Sequence, residues 1–148
     1  MVALIPQDVS KSFEEGMKFV DRKDYIKAAE SLKKAAEHGH VEAQFYLAGM
    51  YADGQGIKKD YQQAMHWYRK VADQGFAEAQ FNLGVMYYKG QGVTQDYEQA
   101  VHWYNKAVEK GDALAQYTLG LMYEKGQGVT QDYKQAVSWY GKAAEQGV

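Results

Sequence analysis

Residues 77–111 read AEAQFNLGVMYYKGQGVTQDYEQAVHWYNKAVEKG, and similar segments precede and follow them at a spacing of 36 residues. Three tryptophans mark that spacing: Trp67, Trp103 and Trp139. Ala-Gln pairs recur with it, beginning at Ala43, Ala79 and Ala115, and so do Asp-Tyr pairs, beginning at Asp60, Asp96 and Asp132. A fixed period of this length is typical of repeat proteins. The repeats occupy 41–76, 77–112 and 113–148, after a divergent first unit in 1–40.

Each repeat contains two segments with the periodicity of an α-helix. In the first half of one repeat, Ala43, Leu47 and Met50 lie on one helix face. In the second half the apolar residues recur at adjacent, three- and four-residue steps, as in Tyr97, Ala100, Val101, Tyr104 and Val108. A Gly-Gln-Gly segment interrupts the pattern between the two halves. Each repeat is therefore predicted to be a helical hairpin.

The second helix of each hairpin has start and stop signals. Asp96 and Gln99 have the spacing of a capping box, and Gly111 follows the helix as a stop. Because one hairpin cannot bury its apolar face alone, neighbouring hairpins must stack. We expect an all-α fold, a right-handed α-α superhelical solenoid of helical hairpins that forms a single repeat domain over 1–148.

The composition narrows the function classes. The chain has 148 residues, a net charge of -2 and a pI near 6.1, so no basic field favours nucleic acid or an anionic membrane surface. It contains no cysteine, which excludes disulfides and cysteine-bound zinc. The apolar run at residues 2–5 is too short for a signal-peptide core or a membrane span. The compartment stays open: cytoplasmic if Met1 is native, periplasmic or secreted if a signal peptide was removed.

No residue set has the spacing of a catalytic, cofactor or metal site. The loop at Gly90 and Gly92 lacks the preceding strand and the third glycine or lysine of a phosphate-binding loop. His66 and His102 are repeat-equivalent and lie one repeat apart, which does not suit a shared metal ion. No serine lies beside a histidine and an acid in a pattern that suits hydrolysis. We predict no catalytic residue, no cofactor and no metal.

The segment 77–111, with its Ala-Gln, Gly-Gln-Gly and Trp-Tyr elements, resembles the Sel1-like repeat, a relative of the tetratricopeptide repeat. The resemblance is close over 41–148. The first unit lacks the Gly-Gln-Gly insertion, and its turn is four residues shorter, so it resembles an ordinary tetratricopeptide repeat. The resemblance implies an α-solenoid that acts as a scaffold or adaptor, and bacterial members of the family are often exported. That the protein is not an enzyme is predicted from the missing nucleophile-base pair.

In tetratricopeptide repeats the first helix of each pair lines a concave groove, and the resemblance places that groove on definite residues here. The candidate partner-binding residues are Phe45, Phe81, Val85, Tyr88, Lys89, Tyr117, Leu121 and Lys125. The fifth position is aromatic in every repeat, which suits a packing ladder as well as a contact strip. The ninth changes from Gly49 to larger apolar residues, and the thirteenth from Asp53 to lysine. Opposite charges at the two ends would orient an extended peptide or an amphipathic helix.

The predicted function is that of a non-catalytic scaffold that binds a protein or peptide in a concave groove, without a nucleic-acid partner or membrane insertion. Two alternatives stay open. One is a hydrolase of the β-lactam or cell-wall type, which some relatives are described as being. The other is a structural repeat protein that self-associates through its C-terminal end. The sequence stops where another Ala-Gln helix would normally follow, which predicts partly uncovered Val137, Tyr140 and Ala144 and either a self-associating end or an excerpt of a longer repeat protein.

Overall fold

The computed structural model describes residues 6–148, and these residues form eight α-helices and no strand. The helices are α1 (Pro6–Asp21), α2 (Tyr25–Glu37), α3 (Val41–Asp53), α4 (Tyr61–Asp73), α5 (Ala77–Lys89), α6 (Tyr97–Glu109), α7 (Ala113–Lys125) and α8 (Tyr133–Glu145). The predicted all-α class is therefore confirmed. The apolar run at residues 2–5 lies outside the described residues.

The chain divides into two compact units, Met1–Val71 and Ala72–Val148. In the N-terminal unit, α1 pairs with α2, α2 packs on α3, and α3 pairs with α4 through the rings of Phe45 and Tyr68, whose centroids are 5.7 Å apart. Its core includes the fully buried Leu32 and Leu47. The connection between α1 and α2 is only residues 22–24, as the missing Gly-Gln-Gly segment predicts.

In the C-terminal unit, α5 pairs with α6 and α7 pairs with α8, while α6 packs on α7 and joins the two hairpins. The buried core cluster lies between them and consists of Ala100, Val101, Tyr104, Ala107, Ala115, Leu119 and Met122. The apolar stripes predicted from the 36-residue period are thus the buried faces of these helices. That the whole chain is one repeat domain stays a prediction.

Aspartates begin the second helices, as predicted. The Asp96 side chain accepts a hydrogen bond from the Gln99 N–H at 3.1 Å. The Asp96 N–H donates to the Tyr87 carbonyl in the last turn of α5, at 2.9 Å, and the Asp132 N–H donates to Tyr123 in the same way. The cap residue therefore both starts its helix and fastens it to the first helix of the hairpin.

The glutamine of each Ala-Gln pair is buried and links helices. Gln80 Nε2 donates to the Ala72 carbonyl near the end of α4, at 3.2 Å, and Gln44 Nε2 donates to Ala36 near the end of α2, at 3.1 Å. In the last repeat, Gln116 Oε1 accepts from Gln146 Nε2 at 2.7 Å. In two of the three repeats this long polar side chain thus reaches a backbone carbonyl at the end of the preceding helix.

The Gly-Gln-Gly loops are packing elements. Gly126 ends α7 in the left-handed conformation, with φ 67°. Gly128 has φ 72°, and a Cβ there would collide with the Tyr97 carbonyl at the start of α6. The loop thus lies against the second helix of the preceding repeat, so its glycines are explained by backbone geometry and close approach.

Candidate functional site

Seven of the eight predicted partner-binding residues belong to the C-terminal unit. We call them the α5–α7 surface: Phe81, Val85, Tyr88 and Lys89 on α5, and Tyr117, Leu121 and Lys125 on α7. The three apolar residues of α5 recur at steps of four and three and pack against the core cluster, which includes residues of α7. Phe45 is the eighth and belongs to the N-terminal unit.

The aromatic residues at the fifth position pack within their own hairpins. Phe81 lies 5.6 Å from Tyr104 between ring centroids, and Tyr117 lies 5.5 Å from Tyr140. Such pairs stabilise a hairpin by about 0.5–1.5 kcal/mol beyond the area they bury. Yet Phe81 is only half-buried and Tyr117 is 42% exposed, so each ring keeps a free portion. The packing role is observed, and a role in partner contact stays a prediction.

Tyr88 connects α5 to the loop that follows α7. Its hydroxyl donates to Gln127 Oε1 at 3.1 Å, and its ring centroid lies 5.1 Å from that of Tyr97. Sequence reasoning missed Gln127, although a glutamine in every Gly-Gln-Gly loop was the available signal. Tyr88 therefore contributes to stability between repeats, and its truncation would not report on partner binding alone.

The exposed charges of this surface are two lysines. Lys89 and Lys125 end their helices, are exposed, and form no ion pair with a described carboxylate. Glu124, the neighbour of Lys125, instead accepts a hydrogen bond from the Tyr140 hydroxyl at 2.7 Å. Cations at helix C-termini are favourable in themselves, yet both ammonium groups remain available to an acidic partner.

Two tyrosines behind this surface are held in the protonated form. Burial raises the pKa of Tyr104 well above its usual range, with a smaller contribution from nearby Tyr88. Burial, then the hydrogen bond to Glu124 and its negative charge, raises the pKa of Tyr140 to about 12. Both phenols are therefore neutral near pH 7, and neither supplies a phenolate nucleophile or base.

The histidines have local roles. His40 Nδ1 accepts the Ala43 N–H at 3.2 Å and caps α3, and His38 Nδ1 lies 2.8 Å from the Lys34 carbonyl. His66 and His102 are exposed on α4 and α6. Within residues 6–148, no group of three or more His, Cys, Asp or Glu side chains is arranged to hold a metal ion.

No helix among the described residues is long and apolar enough to cross a lipid bilayer.

The family model for the Sel1 repeat matches residues 8–40, 41–76, 77–112 and 113–148. The chain belongs to the Sel1 repeat family. The match includes 8–40, the unit that by its sequence resembles an ordinary tetratricopeptide repeat. Sel1 repeats are commonly protein-interaction scaffolds and are typically not enzymes.

Two crystal structures support the Sel1 assignment. A protective antigen of uropathogenic Escherichia coli is 40% identical to this chain with a TM-score of 0.90, and the match covers 95% of this chain and 31% of that one. A Sel1 repeat protein from Oxalobacter formigenes is 38% identical with a TM-score of 0.83, covering 91% and 55%. This Sel1 chain thus spans about a third and about half of their lengths. The predicted solenoid fold class is confirmed.

A third structure shares the fold alone. Cysteine rich protein B of Helicobacter pylori is 23% identical, with a TM-score of 0.56 and coverage of 76% of this chain and 95% of that one. No curated protein sequence shows significant similarity to this Sel1 chain.

Proposed function

We propose that the protein is a non-catalytic interaction scaffold and that its α5–α7 surface binds a peptide or protein partner. The observation that supports this most directly is the pair of unpaired lysines, Lys89 and Lys125, beside apolar side chains that are only half-buried. The equivalent position in the first of the three similar repeats is Asp53. Because the residue differs between repeats, it is not required for stacking and is free to serve recognition.

The partner that fits this surface is an amphipathic segment with acidic residues. Tyr117, 42% exposed, and the half-buried Leu121 offer apolar contacts, and the two lysines at the helix ends attract carboxylates. Apolar anchors supply most of the affinity in such contacts, and the charges supply orientation and association rate. Either an extended peptide or a helix can present that pattern.

The test is a selection of peptides from a random displayed library against the whole chain. We expect wild-type protein to enrich peptides with acidic and apolar residues, and Lys89→Asp with Lys125→Asp to lose that enrichment. Asp53 holds the equivalent position, so the change is compatible with the repeat. Lys106→Asp with Lys142→Asp is the control for an equal charge change on the second helices. Because these lysines lie 5.6 Å and 4.4 Å from the Trp103 and Trp139 ring centroids, the circular dichroism spectrum of the control must match that of the wild type. Equal enrichment by both double variants would refute the proposal.

A second candidate function is self-association through α8. Val137 is 69% exposed and Tyr133 is 64% exposed, whereas the equivalent Val101 is 7% exposed because α7 packs on α6. No described helix covers this face of α8, and a second copy can bury it. Light scattering over a range of concentrations tests this, because self-association raises the apparent molar mass above that of a monomer. Val137→Glu should return the apparent mass toward that of the monomer, whereas Ile26→Glu, at a residue about equally exposed on α2, should leave it unchanged. A monomer at every concentration removes this candidate.

A further inference from the structure

Two neighbouring positions of the first helix, beside the tyrosine of the second helix, differ between the repeats. In the C-terminal unit the first of these positions is glycine: a Cβ at Gly120 would lie 2.6 Å from the Tyr140 ring, and a Cβ at Gly84 would lie closer still to the Tyr104 ring. The residues that follow these glycines are large, Val85 and Leu121. In α3 both positions differ, because Ala48 stands where the other repeats have glycine and Gly49 stands where they have valine or leucine.

These differences change the neighbourhood of the equivalent tyrosine. Ala48 is fully buried and has the methyl group that the other two repeats lack. The Tyr68 ring crosses the Phe45 ring at 66°, whereas the equivalent pairs, with Phe81 and with Tyr117, cross at 39° and 44°. Position 49 has no side chain to fill the space that valine or leucine takes in the other repeats, and a cavity of about 250 Å³ lies there.

Aromatic rings and one carboxylate line this cavity within the N-terminal unit. The aromatic residues of the lining are Tyr25, Phe45, Tyr46 and Tyr68, and its acidic residue is Asp53. Asp53 is exposed and forms no ion pair with a described cation. Gly49 forms part of the lining. We call this feature the Asp53 cavity.

A cavity lined by four aromatic residues and an exposed aspartate has the composition of a cation site. The negative faces of aromatic rings attract ammonium and guanidinium groups, and an unpaired carboxylate adds a charge-assisted hydrogen bond. Small-molecule sites usually have about 300–1,000 Å³, so the Asp53 cavity suits one side chain better than a whole cofactor. We propose that the Asp53 cavity binds the basic side chain, arginine or lysine, of a partner polypeptide.

This site differs from the α5–α7 surface in charge and in the repeat that forms it. At the position of Asp53 the other two repeats have Lys89 and Lys125, and at the position of Gly49 they have Val85 and Leu121. Gly49→Val and Asp53→Lys therefore introduce residues that the other repeats already have at these positions, and they would fill the cavity and reverse its charge. The inference stands without the proposed acidic partner, because a small cationic probe tests it directly.

The experiment is a titration of the ¹⁵N-labelled whole chain with N-acetyl-arginine amide and N-acetyl-lysine amide, followed by amide NMR spectra. We expect saturating shifts of Gly49, Asp53 and Gln55 in the millimolar range that weaken with added salt. N-acetyl-citrulline amide has nearly the shape of the arginine probe without its charge, and it should bind at least about tenfold more weakly.

Two variants test the residues. Asp53→Lys should weaken the arginine probe at least about tenfold, whereas Glu30→Lys, an equal charge change on α2, should not. Gly49→Val should also abolish binding by filling the cavity. If it perturbs the fold, Gly49→Ala replaces it, since the added Cβ meets only the Tyr68 hydroxyl at an ordinary 3.5 Å and should weaken binding severalfold.

Three results would overturn the inference: equal binding of the citrulline probe, unchanged binding by Asp53→Lys, or shifts confined to other residues. These outcomes are independent of the peptide selection. If the chain binds the arginine probe but selects no acidic peptide, the Asp53 proposal is supported and the α5–α7 proposal is refuted. If it selects acidic peptides but does not bind the arginine probe, the α5–α7 proposal is supported and the Asp53 proposal is refuted.

Discussion

Alanine substitutions at Gly49, Gly84 and Gly120, three glycines in the first helices of the repeats, should change the free energy of unfolding in different directions. In a helix interior, Gly→Ala stabilises by about 1 kcal/mol when the methyl group has room. At Gly49 it has room, so we expect the free energy of unfolding to rise by up to about 1 kcal/mol. At Gly84 the added Cβ would lie 2.6 Å from Tyr104 Cδ1, and Tyr104 is fully buried and cannot swing away.

The cost at Gly84 follows from those distances. Overpacking a core costs about 1–3 kcal/mol, and a rigid neighbour places this site at the upper end. Subtracting the helix gain of about 1 kcal/mol leaves a net destabilisation of about 2 kcal/mol. At Gly120 the clashing ring belongs to Tyr140, which is half-buried and can shift, so the net effect should lie between the other two.

Urea unfolding of the three variants, followed by circular dichroism, measures these differences through the transition midpoints. The expected order of stability is Gly49→Ala, wild type, Gly120→Ala and Gly84→Ala, with the last two separated by about 1 kcal/mol. If Gly84→Ala were as stable as Gly49→Ala, the close approach of α6 to α5 at Gly84 would be wrong.

Three further predictions concern single contacts. Gln80→Met keeps the side-chain volume but loses the bond to the Ala72 carbonyl, so urea unfolding should show a loss of about 1 kcal/mol. Trp103→Ala should destabilise by about 3 kcal/mol or more, because the ring is only 3% exposed, and a negligible shift of the melting temperature would contradict its burial. Glu124→Gln should lower the pKa of Tyr140 from about 12 toward its ordinary value of 10, measured by NMR of the ring Cζ. An unchanged pKa in the variant would exclude Glu124 as a cause. In the wild type the pKa of Tyr140 is higher in the folded than in the unfolded state, so its contribution to the free energy of unfolding is complete below pH 10 and is lost as the pH rises through about 12.

The candidate site was only partly predictable. The sequence identifies Phe81 and Tyr117 as repeat-equivalent aromatics but cannot show that each packs on the tyrosine of its own hairpin. Tyr88 differs from its equivalents and so is predicted as a recognition residue, yet its hydroxyl bonds Gln127, thirty-nine positions later in the chain. Whether a varied residue faces a partner or a neighbouring repeat depends on contacts between residues far apart in sequence.

The amino-acid sequence by itself determined the helical hairpins, the aspartate caps and glycine stops of their second helices, and the period of the stack, because these depend on local propensity and on residues three or four positions apart. Tertiary structure alone decided what the recurring residues do. It gives Gln80 the carbonyl of the preceding helix, places Gly128 against the backbone of α6, and leaves a cavity beside Gly49, where the other repeats have valine or leucine. The sequence gives the volume of each side chain, but whether that side chain fills a space depends on the aromatic rings of another helix that pack around it.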